Sequence, residues 1–272
     1  MRLDRCSSIA CLRFPLLEAV PGVRHAIITR LGGVSSGPYA SANLGLAVGD
    51  DREAVLANRR LAGALVSLGA HPVTVKQVHG VQAVLAEAPG EPGVPLGEAD
   101  MLVTRTPGVP LLVQVADCAP IILIDPVQNA AAVVHAGWRG TAAGAGREAV
   151  ASMQRLFGSC PGHLLAGIGP AIGVCCYEVG EEVADAVVAA SGGTGGIIDR
   201  THGERPHLSL ETALSAQLRA AGVPESGIEC AALCTACRLD LFYSHRREGV
   251  STGRFGALVA LIASPAGLRP PR

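Results

Sequence analysis

The sequence predicts a mixed α/β (α+β) fold, and three observations lead there. Short apolar runs with strand character alternate with segments of helical spacing along the whole chain. Several strand-like runs are joined by short turns, which disfavours a simple parallel wound sheet. The 272 residues, 49% of them apolar and 17% charged, are enough for a sizeable core. Residues 25–31 (HAIITRL) read as a strand running into a turn-rich loop, GGVSSGP. Helical spacing over 50–68 has Asp50 or Asp51 as N-cap. Residues 73–78 read as a strand ending at His79-Gly80, and the Pro/Gly/Glu-rich stretch 87–98 as an exposed loop. Strands are expected at 111–115, 120–124, 131–135, 164–168, 228–233 and 255–262. Helices are expected at 141–157, 181–190 and 210–221, with a glycine-rich surface loop at 191–196. No repeat or long linker divides the chain.

Composition narrows the function classes. Net charge is −1, and the 22 basic residues, almost all Arg, are scattered, so neither a nucleic-acid stripe nor a membrane-surface patch is expected. No apolar run reaches spanning length. The N-terminal stretch is interrupted by Arg13 and Glu18 and reads poorly as a signal peptide, which makes a cytoplasmic protein the expectation. Nine cysteines, an odd number, argue for free thiols rather than a disulfide framework.

Three metal-ligating residue types share one context. His79 ends VTVKQVH, Cys118 lies in VQVADCAP, and His135 ends AAVVH before AGWRG. The runs 120–124 and 131–135 flank DPVQNA, a turn-like hexapeptide. In a hairpin with a two-residue loop, Cys118 pairs with His135; with a four-residue loop the two are diagonal neighbours on one face; a three-residue loop puts them on opposite faces. Same-face neighbours lie roughly 5–8 Å apart, within reach of one ion. Two His and one Cys with an open fourth position is a catalytic rather than a structural zinc arrangement. The bland alternative is a buried Cys and two hydrogen-bonded His in a core. Arg139, Gly140 and Thr141 follow the third run and open a helix, where free amides and a guanidinium suit a phosphate or carboxylate; a surface Arg before a capped helix is the plain alternative. Cys230, Cys234 and Cys237 have CxxxCxxC spacing, but the run IECAALC reads as a buried strand rather than a cluster motif, and Cys175-Cys176 reads as packing or pocket lining.

The blocks TRLGGVSSGPYASANLG, KQVHG, ADCAPI, HAGWRGT, GIGPAIGVCCYEVG, CTAC and SHRREGVSTGR, in this order, resemble the YfiH-type family, long labelled laccase-domain or polyphenol oxidase proteins. The resemblance covers nearly the whole chain and implies one domain over residues 1–272. It implies a four-layer α/β/β/α sandwich similar to the catalytic domain of cytotoxic necrotizing factors. It implies a mononuclear zinc site at His79, Cys118 and His135, with copper a weaker alternative. It also implies phosphorolysis of adenosine, inosine, guanosine and methylthioadenosine, and hydrolytic deamination of adenosine. Arg30, Gly33, Asn43, Gln77, Cys176, Tyr177, Arg246 and Arg247 would fall near the pocket. The chain departs from the family at Ala42, where Leu is usual, and at Ala47-Val48, where a His-Val pair is common.

True multicopper chemistry uses paired His-x-His ligands; this chain has eight His and no such pair, which excludes it. The resemblance implies purine nucleosides and phosphate as partners. Arg139 or the Arg246-Arg247 pair would hold phosphate, and Asp117, beside Cys118, is the carboxylate nearest for proton transfer. Other functions stand as alternatives: a cysteine hydrolase or amidase with Cys118 as nucleophile and His135 as base, a non-catalytic binding protein, and the polyphenol oxidase activity of the old family label.

Overall fold

The computed structural model describes residues 2–4, 9–67, 69–193, 195–201 and 203–263. The strands are β1 (Arg2–Asp4), β2 (Ile9–Arg13), β3 (Val23–Gly32), β4 (Ala83–Leu85), β5 (Met101–Thr104), β6 (Leu111–Val115), β7 (Ala119–Asp125), β8 (Ala130–Ala136), β9 (Leu165–Ile168), β10 (Ile198–Asp199), β11 (His207–Leu208), β12 (Ile228–Cys230) and β13 (Phe255–Leu261). The helices are α1 (Pro15–Glu18), α2 (Arg52–Ala64), α3 (Trp138–Ala142), α4 (Ala145–Phe157), α5 (Glu181–Ser191), α6 (Leu210–Ala220) and α7 (His245–Glu248).

The strands build a five-stranded sheet, β1-β2-β3-β13-β6, a six-stranded sheet, β12-β9-β7-β8-β5-β4, and a two-stranded ribbon, β10-β11. The six-stranded sheet is mixed: β4–β5 and β12–β9 are parallel and its other pairs antiparallel. Burial shows how these layers stack. Ile122, Ile124 and Val133 of the larger sheet pack against Ile27, Val113, Ala257 and Val259 of the smaller one. Ile121, Leu123 and Val134 point the other way, onto α4, α5 and α6. Ile28, Leu112 and Leu258 of the smaller sheet meet Ala62 and Val66, in and just beyond α2. The result is a four-layer α/β/β/α sandwich. It explains why β7 reads PIILI without polar alternation: both faces of that strand are buried.

Local chemistry sets the element ends. The Asp51 carboxylate caps α2, accepting from the Ala54 amide at 3.0 Å; the helix ends at Ala64, short of the expected Leu68, which itself lies outside the described residues. The β7–β8 register pairs Pro120 with His135 and Asp125 with Ala130, which leaves a four-residue loop. Asp125 Oδ1 accepts from the amides of Val127 and Gln128, and Asn129 takes a left-handed φ of 50°, so the turn is built from the residues that favour it. The four-residue alternative therefore holds, and Cys118 is the diagonal neighbour of His135.

Three expectations are corrected. Residues 73–78 form no strand; only Val73 and Lys76 make single bridges, and the side-chain amide of Gln77 replaces a ladder step by donating to the Gln114 carbonyl and accepting from its amide. The helix expected at 141–157 is two helices, broken at Gly144 with φ of 83°, and the first begins at Trp138. The strand expected at 228–233 stops at Cys230 because Ala232 has φ of 51°, which ends an extended run. Strands β2 and β5 were not expected: both are short, and β5 emerges directly from a polar loop.

His25 on β3 supplies a pH test. Its Nε2 accepts from the Phe14 amide at 2.8 Å, a bond only the neutral ring can make, and burial, with Arg13 adding to it, lowers its pKa to about 4. The folded pKa lies below the unfolded value near 6.5, so this stabilisation is complete above about pH 6.5 and is lost as pH falls through 4, at a cost of about 3 kcal/mol. Denaturant unfolding across that window should show the loss. His25→Gln, which keeps an acceptor but cannot titrate, should flatten it; an unchanged slope would assign the loss to other groups.

Candidate functional site

The site is organised by a carboxylate. Asp100, fully buried just before β5, receives three successive amides of the preceding loop: Val78 at 3.2 Å, His79 at 3.0 Å and Gly80 at 2.6 Å. Such a run of amides around one anion is a backbone nest. It holds His79 at φ of 62°, which a residue with a Cβ adopts only when its surroundings enforce it. The same carboxylate lies 2.7 Å from Nδ1 of His135, and the Asp100 carbonyl accepts the His135 amide at 2.8 Å. Burial works against ionisation of Asp100, but the His135 ring and the amides of Gly80 and His79 outweigh it and keep the carboxyl below its ordinary range. With Nδ1 committed to Asp100, Nε2 of His135 is the nitrogen left for a ligand.

Cys118 reaches the same point from the loop before β7. The ligand atoms of His79, Cys118 and His135 all lie within 4.8 Å of one another. The two imidazoles meet edge to face with centroids 4.8 Å apart. Burial opposes a charge on Cys118, yet His135 and His79 bring the thiol down to about 6. Burial likewise opposes a charge on His135, while Cys118 and Asp100 raise the ring to about 9. Each group thus favours the charged form of the other, and a cation bound between them would compete with the His135 proton. Gly137 answers for the glycine after His135-Ala136. A Cβ there would stand 2.8 Å from Cys118 Sγ and 3.2 Å from His79 Cδ2, inside the ligand set. Two imidazoles and one thiolate, oriented by a buried carboxylate, fit a borderline-soft divalent ion with one position open.

The cluster opens into a cleft of about 700 Å³. Its charged lining comprises Arg52, Arg59, Lys76, Arg246 and Arg254 against the single carboxylate of Asp117. Arg59 is 6% exposed, gives its Nε to the Leu44 carbonyl, and has no carboxylate partner among the described residues. Burial, with Arg52 adding to it, lowers its pKa to about 10. A buried guanidinium without an acid favours an anion as ligand.

The structure brings some of the expected residues to this cleft and leaves others away from it. Gln77, Tyr177, Asp117 and Arg246 line it. Asp117 spends both oxygens locally, accepting from the Thr235 hydroxyl at 2.6 Å and the Arg246 amide at 2.7 Å. The Arg246 guanidinium lies over the Tyr177 ring at 5.2 Å. Asn43, Arg30, Gly33, Arg139, Arg247 and Cys176 are not in the lining. Asn43 stands behind it, accepting from the amides of Gly45 and Arg254. Arg30 is paired with Glu248 at 2.9 Å and stacked on Tyr243. Gly33 sits in a turn where a Cβ would lie 2.5 Å from Asn58 Oδ1. Arg139 was expected to face an anion ahead of a helix. It lies instead inside α3, exposed, with its guanidinium 4.4 Å from the Trp138 ring centre. Arg247 is exposed on α7. Cys176 turns away to meet other cysteines. Sequence reasoning missed Asp100, Arg59 and Arg254. The signal for Asp100 was an acid directly preceding the apolar run MLVT, a charge the fold must bury and satisfy; the two arginines had none.

If the His79–Cys118–His135 cluster takes up zinc supplied in solution, Asp100→Asn should weaken that uptake about 10–100-fold, as loss of a ligand-orienting carboxylate does. Gly137→Ala should weaken it as well, through the close approach to Cys118. Competition with a chromophoric chelator measures both. Unchanged affinity in Asp100→Asn would remove the carboxylate from the site's design.

Comparison with known proteins accords with this geometry. A family model described as multi-copper polyphenol oxidoreductase laccase matches residues 24–262. A protein of Deinococcus radiodurans named purine nucleoside phosphorylase is 42% identical over 249 residues, covering 91% of this chain and 93% of that protein. Purine nucleoside phosphorylase YlmD of Geobacillus stearothermophilus is 39% identical over 259 residues, 92% of this chain and 93% of its own. The crystal structure of YlmD from that organism superposes with a TM-score of 0.86 at 34% identity, covering 96% of this chain and 98% of that one. The crystal structure of Bacillus licheniformis YfiH gives a TM-score of 0.86 at 31% identity, covering 95% and 98%. With its layered fold and His-Cys-His cluster, the chain belongs to the YfiH-type laccase-domain family.

Proposed function

We propose that the protein is a zinc-dependent purine nucleoside phosphorylase that also deaminates adenosine. The observation that carries this reading is the His79–Cys118–His135 cluster at the edge of a cleft lined by five cations and one tethered carboxylate. The names of its relatives support it. Held by those three side chains, zinc would polarise an acceptor atom and lower the pKa of a water to about 7. The rest falls to the protein. In phosphorolysis a phosphate oxygen attacks C1′ of the ribose, the C1′–N9 bond breaks, and a proton joins the departing purine, giving ribose 1-phosphate and free base. Two charges must be held for this, those of phosphate itself. We assign that task to Arg254 and Arg246, with Arg59 beside them in the lining. Arg254 lies close enough to feel the charges of Cys118 and Asp117, although burial dominates and lowers its pKa. Burial pushes the Tyr177 hydroxyl up to about 12, so it stays a hydrogen-bond donor to the nucleoside. In deamination water adds at C6 and ammonia leaves; Asp117, as the lining's one carboxylate, handles the proton. Adenosine, inosine, guanosine and methylthioadenosine are the proposed substrates. Ala47 and Val48 line the wall, so no titratable group stands there to discriminate among them.

Adenosine should yield adenine only when phosphate is supplied, and inosine without it. Arg254→Ala removes a charge-assisted contact and should slow adenine release about 10–100-fold, with a smaller effect on inosine. His79→Ala should abolish both products. Adenine formed without phosphate would identify a hydrolase.

A second reading has its own observation. Cys118, His135 and Asp100 stand in the order nucleophile, base and orienting acid. A cysteine hydrolase built on them would survive exhaustive chelation and be blocked by iodoacetamide, whereas the proposed phosphorylase is inactivated by chelation and restored by zinc.

A further inference from the structure

Away from the cleft, the cysteines that the sequence presents as two unrelated groups converge. Cys175 and Cys176, in the loop after β9, meet Cys234 and Cys237, in the turn after β12, with all four sulfurs within 4.8 Å of one another. Cys230, the first residue of the apparent CxxxCxxC motif, is not among them. The Sγ atoms of Cys175 and Cys237 are 3.6 Å apart, and those of Cys176 and Cys237 are 3.5 Å apart. These separations are far too long for a disulfide, whose sulfurs lie about 2.05 Å apart. They are close to the edge of a tetrahedron with bonds of about 2.3 Å, which is about 3.8 Å. An iron–sulfur cluster would hold its ligands farther apart, since its own atoms must fit between them.

The surroundings are shaped for such a centre. The Gly173 amide donates to Cys234 Sγ at 3.2 Å, as amides do to thiolates. Gly173 packs closely on the group: a Cβ would lie 3.1 Å from Cys234 Cβ, a tight contact, and 3.5 Å from the sulfurs of Cys175 and Cys234. The Cys234–Cys237 turn is closed by the Cys237 and Arg238 amides on the Cys234 carbonyl, at 3.3 and 3.1 Å. The two segments are also joined by backbone, through the Ala171–Cys234 bridge and the Thr235 amide on the Ala171 carbonyl at 3.0 Å.

We infer that Cys175, Cys176, Cys234 and Cys237 bind a second, structural zinc ion. Four thiolates in a closed tetrahedral set select zinc and leave no position for substrate. The ion ties together two loops that flank the cleft. One carries Tyr177, next to Cys176. The other carries Thr235, whose hydroxyl holds Asp117 at 2.6 Å. This centre is distinct from the His79–Cys118–His135 site and does not depend on it.

Elemental analysis of the full chain, purified under reducing conditions with zinc, should find about two zinc ions per chain. Cys118→Ala should retain the structural ion, and Cys234→Ser/Cys237→Ser should retain only the other. Replacing zinc with cobalt(II) gives a readout that survives if the double variant folds poorly. The parent and Cys118→Ala should both show the intense thiolate-to-cobalt and ligand-field bands of a tetrahedral all-sulfur site. Metal content that Cys234→Ser/Cys237→Ser leaves unchanged would overturn the inference, as would the absence of those bands in Cys118→Ala, or disulfides among the four cysteines in the reduced preparation. If the catalytic site alone fails to hold zinc, the parent should contain about one ion, insensitive to Cys118→Ala and lost with Cys234→Ser/Cys237→Ser.

Discussion

The arrangement rests on one buried carboxylate. Asp100 has no access to solvent, and an unpaired charge there would cost several kcal/mol. Four hydrogen bonds on the carboxylate prevent that, three from amides and one from an imidazole, and the Asp100 carbonyl also accepts the His135 amide. Each of these bonds also does something to the site. The amides fix residues 78–80 and aim His79 from a left-handed backbone. The imidazole bond decides which nitrogen of His135 faces the cleft. Removing the acid would therefore loosen two ligands at once.

The sheets explain why this acid sits where it does. Strands β5 and β8 are neighbours in the larger sheet, and Met101 pairs with Val134. Asp100 and His135 are thus the next positions along that ladder, at its cleft end. Strand β7 lies on the other side of β8 and delivers Cys118 diagonally to His135. Three adjacent strands of one sheet set the positions of His135 at the end of β8, Cys118 directly ahead of β7 and Asp100 directly ahead of β5, while His79 comes from a segment outside any strand. Rigid support of this kind keeps a ligand set within the narrow geometry a metal requires.

Electrostatics separates two regions of the cleft. Around Cys118 and His135 opposite charges face each other at short range. Farther along the wall Lys76 pairs with Glu98 at 2.7 Å, whereas Arg59 has no carboxylate partner among the described residues and Asp117 already serves Thr235 and the Arg246 amide. A neutral nucleoside and an anionic co-substrate would find complementary surroundings in these two regions. The sulfur cluster behind Tyr177 and Thr235 touches neither region directly, and its effect on the cleft passes through the loops it joins.

Much of this was legible in the residues. Periodicity located β3, β6 to β9, β13 and the helices α2, α5 and α6, because each buries one side or both and its pattern records that burial. Turn chemistry in DPVQNA narrowed the β7–β8 register to alternatives of which two put Cys118 and His135 on one face. His79, Cys118 and His135 stood out because their donor types are scarce and each lies at the edge of an apolar run. What the chain alone could not fix was every contact between distant segments. Asp100 reads as a loop acid until β5 pairs with β8. Arg59 reads as a helix surface charge until α2 lies across the smaller sheet. Arg139 reads as an anion ligand until the helix starts at Trp138, ahead of the expected residue 141, and takes Arg139 into its first turn beside the Trp138 ring. Cys230 reads as part of a motif that the fold breaks, and Cys175-Cys176 as packing until a turn 60 residues away closes over them. Local sequence determines backbone preference and which faces are apolar; long-range pairing of strands and loops decides which polar groups meet, because nothing in the chain's own spacing encodes that meeting.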